Sequence, residues 1–325
     1  MNILITGGLG HIGSGLIEPL SRLKHINIRN IYVLDNFLTQ RYCSLFNNKF
    51  KKIKFYEVNI LKDNIEYFFK NFKISYVVHL AAITDATNSF IIGNDLFKNN
   101  LGSTKIISRL CERFNVKMIF ISSTSIYGKN NSIVDEKTEK KFLKPQSPYA
   151  KIKIIEENLL KKNKNKLKYN TFRFGTIAGV SKGIRFHTAV NKFCLNASLD
   201  NKIHVYKTAL HQFRPYLSIV DSFQTFKFTI EKNFFQNDIF NVLTGNYTVN
   251  QILNKIRKFK KNISIDYVNA PIMNQLSYHV DDRKIKHHGL KLKGSIEKDI
   301  KDTLKLLQNL KRWTAKSQIK KWHLL

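Results

Sequence analysis

Short apolar runs recur through the first half of the chain, each separated from the next by a segment of helix length. Asn2–Thr6, Ile31–Leu34, Lys54–Val58, Tyr76–Leu80, Met118–Ser122 and Tyr169–Phe174 read as strands. Apolar runs of this kind suit strands buried on both faces, as in a parallel sheet covered by helices on each side. Right-handed crossovers then predict an α/β fold with a doubly wound parallel sheet. Residues 1–172 are expected to form this domain, and residues 173–325 a smaller, partly discontinuous one with segments returning to the sheet. Beyond Arg173 the pattern becomes irregular, with a short strand at Ile239–Val242 and a helix near Val249–Phe259. Ser295–Leu310 places Ile296, Ile300, Leu304, Leu307 and Leu310 on one helical stripe.

With 325 residues, 43% of them hydrophobic, the chain can bury a large core. It contains no run of ~18 apolar residues, so no transmembrane helix is expected. Asn2–Ile5 runs straight into a glycine motif and reads as a buried strand rather than a cleaved leader. Cys43, Cys111 and Cys194 lack metal spacing and suit a reducing cytoplasm. The charge is unusual: 55 Lys and Arg against 23 Asp and Glu, net +32. Such a surplus suits an acidic partner, but the lysines are spread rather than clustered, so no specific nucleic-acid role is expected. The basic tail with Trp313 and Trp322 suits a solvated or docked end better than a membrane anchor.

Gly7, Gly10 and Gly13 follow the first strand and open a helix at His11-Ile12. A glycine triplet in that context cradles a dinucleotide pyrophosphate at the helix N-terminus of a Rossmann sheet. Asp35 ends the second strand, 22 residues past Gly13, where a carboxylate meets the adenosine ribose and repels a 2′-phosphate. NAD is therefore expected over NADP, with Arg41 near enough to blur the choice. Asp35 also suits a helix cap in a strand-to-helix turn.

Ser147 suits an N-cap and Pro148 a first helical position, so a helix is predicted from Tyr149 through Leu160. Tyr149 and Lys153 then share one face. A free tyrosine is only ~0.1% phenolate at pH 7, and a nearby ammonium favours the anion. Ser123, four residues before Tyr127, falls at the carboxyl end of a strand, where doubly wound folds bind ligands.

Taken together these motifs resemble the extended short-chain dehydrogenase/reductase family, in its NAD-dependent nucleotide-sugar epimerase/dehydratase branch. The glycine motif, Asp35-Asn36, His79-Leu80-Ala81-Ala82, Asn99-x-x-Gly102-Ser103, Ser123-x-x-x-Tyr127-Gly128, Tyr149-x-x-x-Lys153, Arg173-Phe174-Gly175-Thr176 and Arg214–Asp221 occur in family order. The resemblance implies that Tyr149 is the base, that Lys153 holds the nicotinamide ribose, and that Ser123 bonds the substrate oxygen. It implies cofactor contacts at Asn36, Asn59, Ile60, Leu80, Ala81, Ala82 and Asn99, and substrate contacts at Thr124, Thr176 and Arg214. Arg214 would face the substrate diphosphate, with Arg185 next in line. Asparagine is usual where Thr176 stands, and aspartate where Asn59 stands.

Sugar dehydratases of the family carry an Asp-Glu pair directly after the catalytic hydroxyl. Here Thr124 and Ser125 stand there, and neither performs acid–base chemistry at neutral pH. An epimerase acting through a keto-sugar is therefore expected. A net sugar-nucleotide oxidoreductase, or a non-catalytic dinucleotide-binding protein with an RNA or assembly role, are the alternatives. The resemblance also implies a homodimer, paired through Asn99–Arg113 and Tyr149–Leu160. Ile106 with Leu110, and Ile152 with Ile155 and Leu159, offer apolar stripes for it.

Overall fold

The structure is a computed structural model that describes residues 1–84, 93–130, 133–269 and 277–310. In chain order it forms β1 (Asn2–Thr6), α1 (His11–Ser21), β2 (Asn30–Asp35), β3 (Ile53–Glu57), α2 (Glu66–Phe72), β4 (Ile74–His79), α3 (Gly93–Arg113) and β5 (Lys117–Ser123). There follow β6 (Ile133–Val134), α4 (Pro148–Lys162), β7 (Tyr169–Phe174), β8 (Thr176–Ala178), α5 (Ala189–Ser198), β9 (Ile203–Tyr206) and β10 (Phe213–Ser218). The last elements are α6 (Ile219–Glu231), β11 (Asp238–Val242), β12 (Gly245–Thr248), α7 (Val249–Arg257), β13 (Ile265–Val268), β14 (His279–Val280), α8 (Arg283–His287) and α9 (Ile296–Leu306).

Seven parallel strands make the main sheet in the order β11-β7-β5-β4-β1-β2-β3. Side chains alternate across it, as a pleated strand requires. Ile3 and Ile5 join a core under α1 and α6, whereas Leu4 joins one under α2, α3 and α4. Strand order reverses between β1 and β4, and a doubly wound sheet binds its ligand at that crevice.

A second region covers the carboxyl end of the sheet. Here β12-β10-β8 form a small sheet, β13 pairs with β9, and α5, α7 and α9 bury Cys194, Ile252, Ile256 and Ile300. Thr248 caps α7 in a capping box with Gln251.

Several expectations shift. Ile239–Val242, in the half of the chain where segments were expected to return to the sheet, is the edge strand β11, because Phe240 and Val242 are buried in the main core. β7 runs across the boundary expected at residue 172. The α9 stripe closes at Leu307, and Leu310 lies past the helix, 44% exposed. The stripes expected on α3 and α4 are partly the chain's own core: Leu110 and Ile152 are buried, while Ile155 is 39% exposed. Trp313 and Trp322 lie outside the described residues.

Candidate active site

β1 delivers the chain into a left-handed turn at Gly7, φ 66°. A Cβ there would lie 2.6 Å from the Ala81 backbone. At Gly13 a Cβ would lie 2.4 Å from the Gly8 carbonyl oxygen, so only glycine lets α1 pack onto the loop. Gly10 is the N-cap of α1, and no side chain caps that end. The first-turn N–H groups therefore remain for an anion.

Asp35 sits at the carboxyl end of β2. Its Oδ2 accepts from Leu9 N at 3.0 Å and its Oδ1 from Phe37 N at 3.1 Å. It thus ties the glycine loop to β2, and the alternative of a helix cap is not realised. Asn36 lies exposed beside it and closes its own turn through Leu38 N. Arg41 donates to the Gly183 carbonyl at 2.7 Å. Its guanidinium is engaged there.

The His11 side chain turns away from the cradle and pairs through Nε2 with the Gly179 carbonyl at 2.8 Å. Burial pushes its pKa down to about 4, so the neutral ring donates. Ile12 packs against the main core. Asn59 spends its side chain on Leu61 N, and Ile60 is buried beneath it. Leu80, Ala81 and Ala82 follow β4 as a partly exposed strip. Asn100, which sequence reasoning passed over beside Asn99, pins this strip: it accepts from Ile83 N at 2.8 Å and donates to Ile83 O at 2.9 Å. Asn99 itself donates to Asn100.

The start of α4 is set as its local sequence predicts. Ser147 Oγ accepts from Ala150 N, and Pro148 is the first helical residue. Tyr149 and Lys153 share a face, with Lys153 Nζ 5.8 Å from the Tyr149 ring centre and 4.7 Å from that of Phe120. Ser123, at the end of β5, donates from Oγ to Ser125 at 2.9 Å and lies near enough to the Tyr149 hydroxyl to favour its anion. The three residues expected to be catalytic are thus brought together.

Their electrostatics differ from the sequence expectation. Burial pushes the Tyr149 phenol above its ordinary pKa. The pull of Lys153, Arg185 and Ser123 offsets this only in part, and Glu156 opposes that pull. Lys153 is buried, which lowers its pKa, but Glu156, Tyr149 and Glu157 more than compensate and hold it above the ordinary value.

Behind the site runs a buried polar chain that sequence reasoning did not find. Ala81 N donates to Thr6 Oγ1 at 3.3 Å, and Thr6 Oγ1 lies 2.7 Å from His79 Nδ1. His79 Nε2 lies 3.2 Å from Thr104 Oγ1, which donates to Glu156 Oε1 at 2.6 Å. Glu156 Oε2 lies 2.9 Å from Lys153 Nζ. Burial pushes His79 down to about 3, so the ring is neutral. Glu157 makes a separate pair with Arg173, at 2.9 and 2.7 Å, and accepts from Ser122. Arg173 in turn donates to Tyr127.

The expected substrate residues scatter more. Thr124 is 2% exposed and donates to the Phe174 carbonyl, so its hydroxyl braces β5 against β7. Thr176 is partly exposed on β8, opposite Tyr216 of β10. Arg214 lies on β10 near the buried phenols of Tyr216 and Tyr278. Arg185 bonds Thr84 and draws on the Tyr149 phenol.

Comparison with known proteins supplies the frame for this geometry. The chain is 32% identical over 266 residues to a dTDP-D-glucose 4,6-dehydratase of Dictyostelium discoideum, covering 74% of this chain and 58% of that protein's length. Its fold is similar to a UDP-glucose 4-epimerase of Thermotoga maritima solved with UDP-glucose, at TM-score 0.82 and 25% identity over 94% of this chain and 98% of that one. It is equally similar in fold to a Thermus thermophilus UDP-glucose 4-epimerase in complex with NAD, at TM-score 0.82 and 22% identity over 95% and 100% of the two chains. NAD is the cofactor, and the glycine cradle, the uncapped start of α1 and Asp35 fit it. Residues 3–242 match the NAD dependent epimerase/dehydratase family, and the chain belongs to it.

Proposed function

We propose that the chain epimerises a nucleotide sugar through a transient keto-sugar. The observation that carries this reading is the Ser123–Tyr149–Lys153 cluster, followed by the hydroxyls of Thr124 and Ser125 in place of a carboxylate pair. NAD, when bound, supplies a reversible acceptor for the hydride of a sugar carbon. Tyr149 takes the proton of the adjoining sugar hydroxyl and later returns it. Ser123 bonds the same oxygen and fixes its distance from the phenol. Lys153 holds the nicotinamide ribose and draws the phenol toward its anion. The first-turn N–H groups of α1 hold the pyrophosphate, and Asp35 the adenosine ribose. Arg214 clamps the substrate diphosphate. Rotation of the keto-sugar within the pocket presents its opposite face, and the sequence then reverses.

The Dictyostelium relative carries a dehydratase name, so the test must separate the two outcomes. UDP-, GDP-, CDP- and dTDP-sugars are incubated with the NAD-loaded protein, and products are resolved by chromatography and mass. An epimer of unchanged mass without net NADH supports the proposal. A product lighter by one water assigns dehydration, and accumulating NADH assigns a net oxidoreductase. Salt-sensitive RNA binding without turnover would replace all three. We infer also a homodimer paired through α3 and α4, whose exposed Phe97 and Ile155 remain for a partner. No helix among the described residues is long and apolar enough to cross a membrane. The free cysteines suit a cytoplasmic site.

A further inference from the structure

The donors of the buried polar chain all run one way. Ala81 N–H points to Thr6, Thr6 to His79 Nδ1, His79 Nε2–H to Thr104, and Thr104 to Glu156. Neutral His79 must then carry its proton on Nε2. The chain ends on Glu156 Oε1, while Lys153 approaches Oε2 from the other side. Glu156 therefore accepts from Thr104 at one oxygen and faces the Lys153 ammonium with the other; it is 1% exposed, at the end of a hydrogen-bonded line that begins at Ala81.

The charges around it divide in a definite way. From α4 itself come Lys153, Tyr149 and Glu157. From α3 comes Thr104, from β4 the neutral His79, from β5 Ser122, and from β7 Arg173. Arg185 reaches Tyr149 from the segment after β8. Arg173 neutralises Glu157 through two hydrogen bonds, so Glu157 is already matched. Glu156 is left as the counter-charge of Lys153. Burying a carboxylate costs several kcal/mol unless it is paired and hydrogen-bonded, and this one is both.

We propose that Glu156 is a positioning residue, which anchors the Lys153 ammonium and tempers its pull on the Tyr149 phenol, and so sets the pH at which Tyr149 can act as base. The proposal rests on the reading of Tyr149 as that base. Lys153 and Glu156 act on the phenol with opposite sign, in accord with the directions found at Tyr149.

Glu156→Gln is the direct test, because the amide oxygen still accepts from Thr104 while the charge is lost. Two quantities are measured in the NAD-loaded protein: the acidic limb of kcat/KM, and the tyrosinate absorbance of Tyr149, taken as the difference from Tyr149→Phe. Loss of one nearby charge should move both toward acid by about one pH unit. A purely structural role predicts a lower melting temperature with both left in place. A tyrosinate titration that does not move overturns the proposal. A titration that moves beneath an unmoved limb instead overturns Tyr149 as the base. Should Glu156→Gln fail to fold, Glu156→Met removes the charge while Thr104 still accepts from His79 Nε2–H, and it carries the same expectation.

Discussion

The glycine cradle and the Tyr149 cluster are made from different materials. Between Gly7 and Gly13 the ligand-facing groups are backbone N–H donors and close backbone approaches; apart from Asp35, side chains such as His11 and Ile12 turn into the protein. Around Tyr149 the site is made of side chains on α4 and β5, backed by two buried ion pairs. A backbone site is set by local conformation and is insensitive to distant charge. A side-chain site in a poorly solvated place responds to every charge near it. Substitutions in the two halves should therefore separate cofactor binding from chemistry.

The largest separation is expected at Tyr149. Tyr149→Phe keeps the ring and loses the hydroxyl, so turnover should fall ~100-fold or more while NAD affinity changes little. Near-normal turnover, measured with whichever nucleotide sugar the turnover screen identifies, would remove Tyr149 from the mechanism. Arg214→Ala comes next. Loss of a charge-assisted contact of ~1.5–3 kcal/mol should raise KM for the nucleotide sugar roughly 10- to 150-fold and spare NAD. A normal KM at physiological salt would send the diphosphate to Arg185.

Acid should then act on both halves through the fold. His11 in the cradle and His79 in the polar chain are held neutral, with pKa values down to about 4 and about 3. Below pH ~6.5 the unfolded chain binds two protons that the folded chain refuses, so stability is present above that pH and is lost on acidification. Asp299, pushed up to about 7 by burial, works the other way, since the folded chain takes its proton first. His11 and His79 less Asp299 give a loss of about 1.4 kcal/mol per pH unit between roughly pH 6 and 4.5, and Glu136 and Asp282, both raised by burial, make the observed slope shallower than this. Urea midpoints that do not fall over this range would contradict the neutral histidines.

The smallest effect is expected at Asp35. Asp35→Ala would remove the proposed ribose hydrogen bonds and free Leu9 N. Calorimetry should show NAD affinity down by ~10-fold, about 1.4 kcal/mol, with the preference over NADP narrowed. Unchanged affinity would move the ribose contact elsewhere.

Much of this was legible in the residue string because it is local. The main strands, the glycine turn, Ser147-Pro148 at the head of α4 and the shared face of Tyr149 and Lys153 each depend on a few neighbouring residues. Spacing and turn chemistry determine them. The membership of β11 in the main sheet was not legible, since a short apolar strand carries no mark of its partner. Nor was the burial of Thr124, or the turning of His11 toward Gly179, 168 residues away.

Tertiary structure alone decided the electrostatics. Thr6, His79, Thr104 and Glu156 are far apart in sequence, and nothing in their spacing links them. They form one line only because β1, β4, α3 and α4 pack side by side. The charge on Lys153 was readable from its letter, but the countercharge that meets it depends on which residues share its low-dielectric surroundings. By itself the sequence determined which chemical groups were present and their local conformation. Packing decided how much of each charge the others feel, because desolvation and charge–charge energies depend on distances through space rather than along the chain.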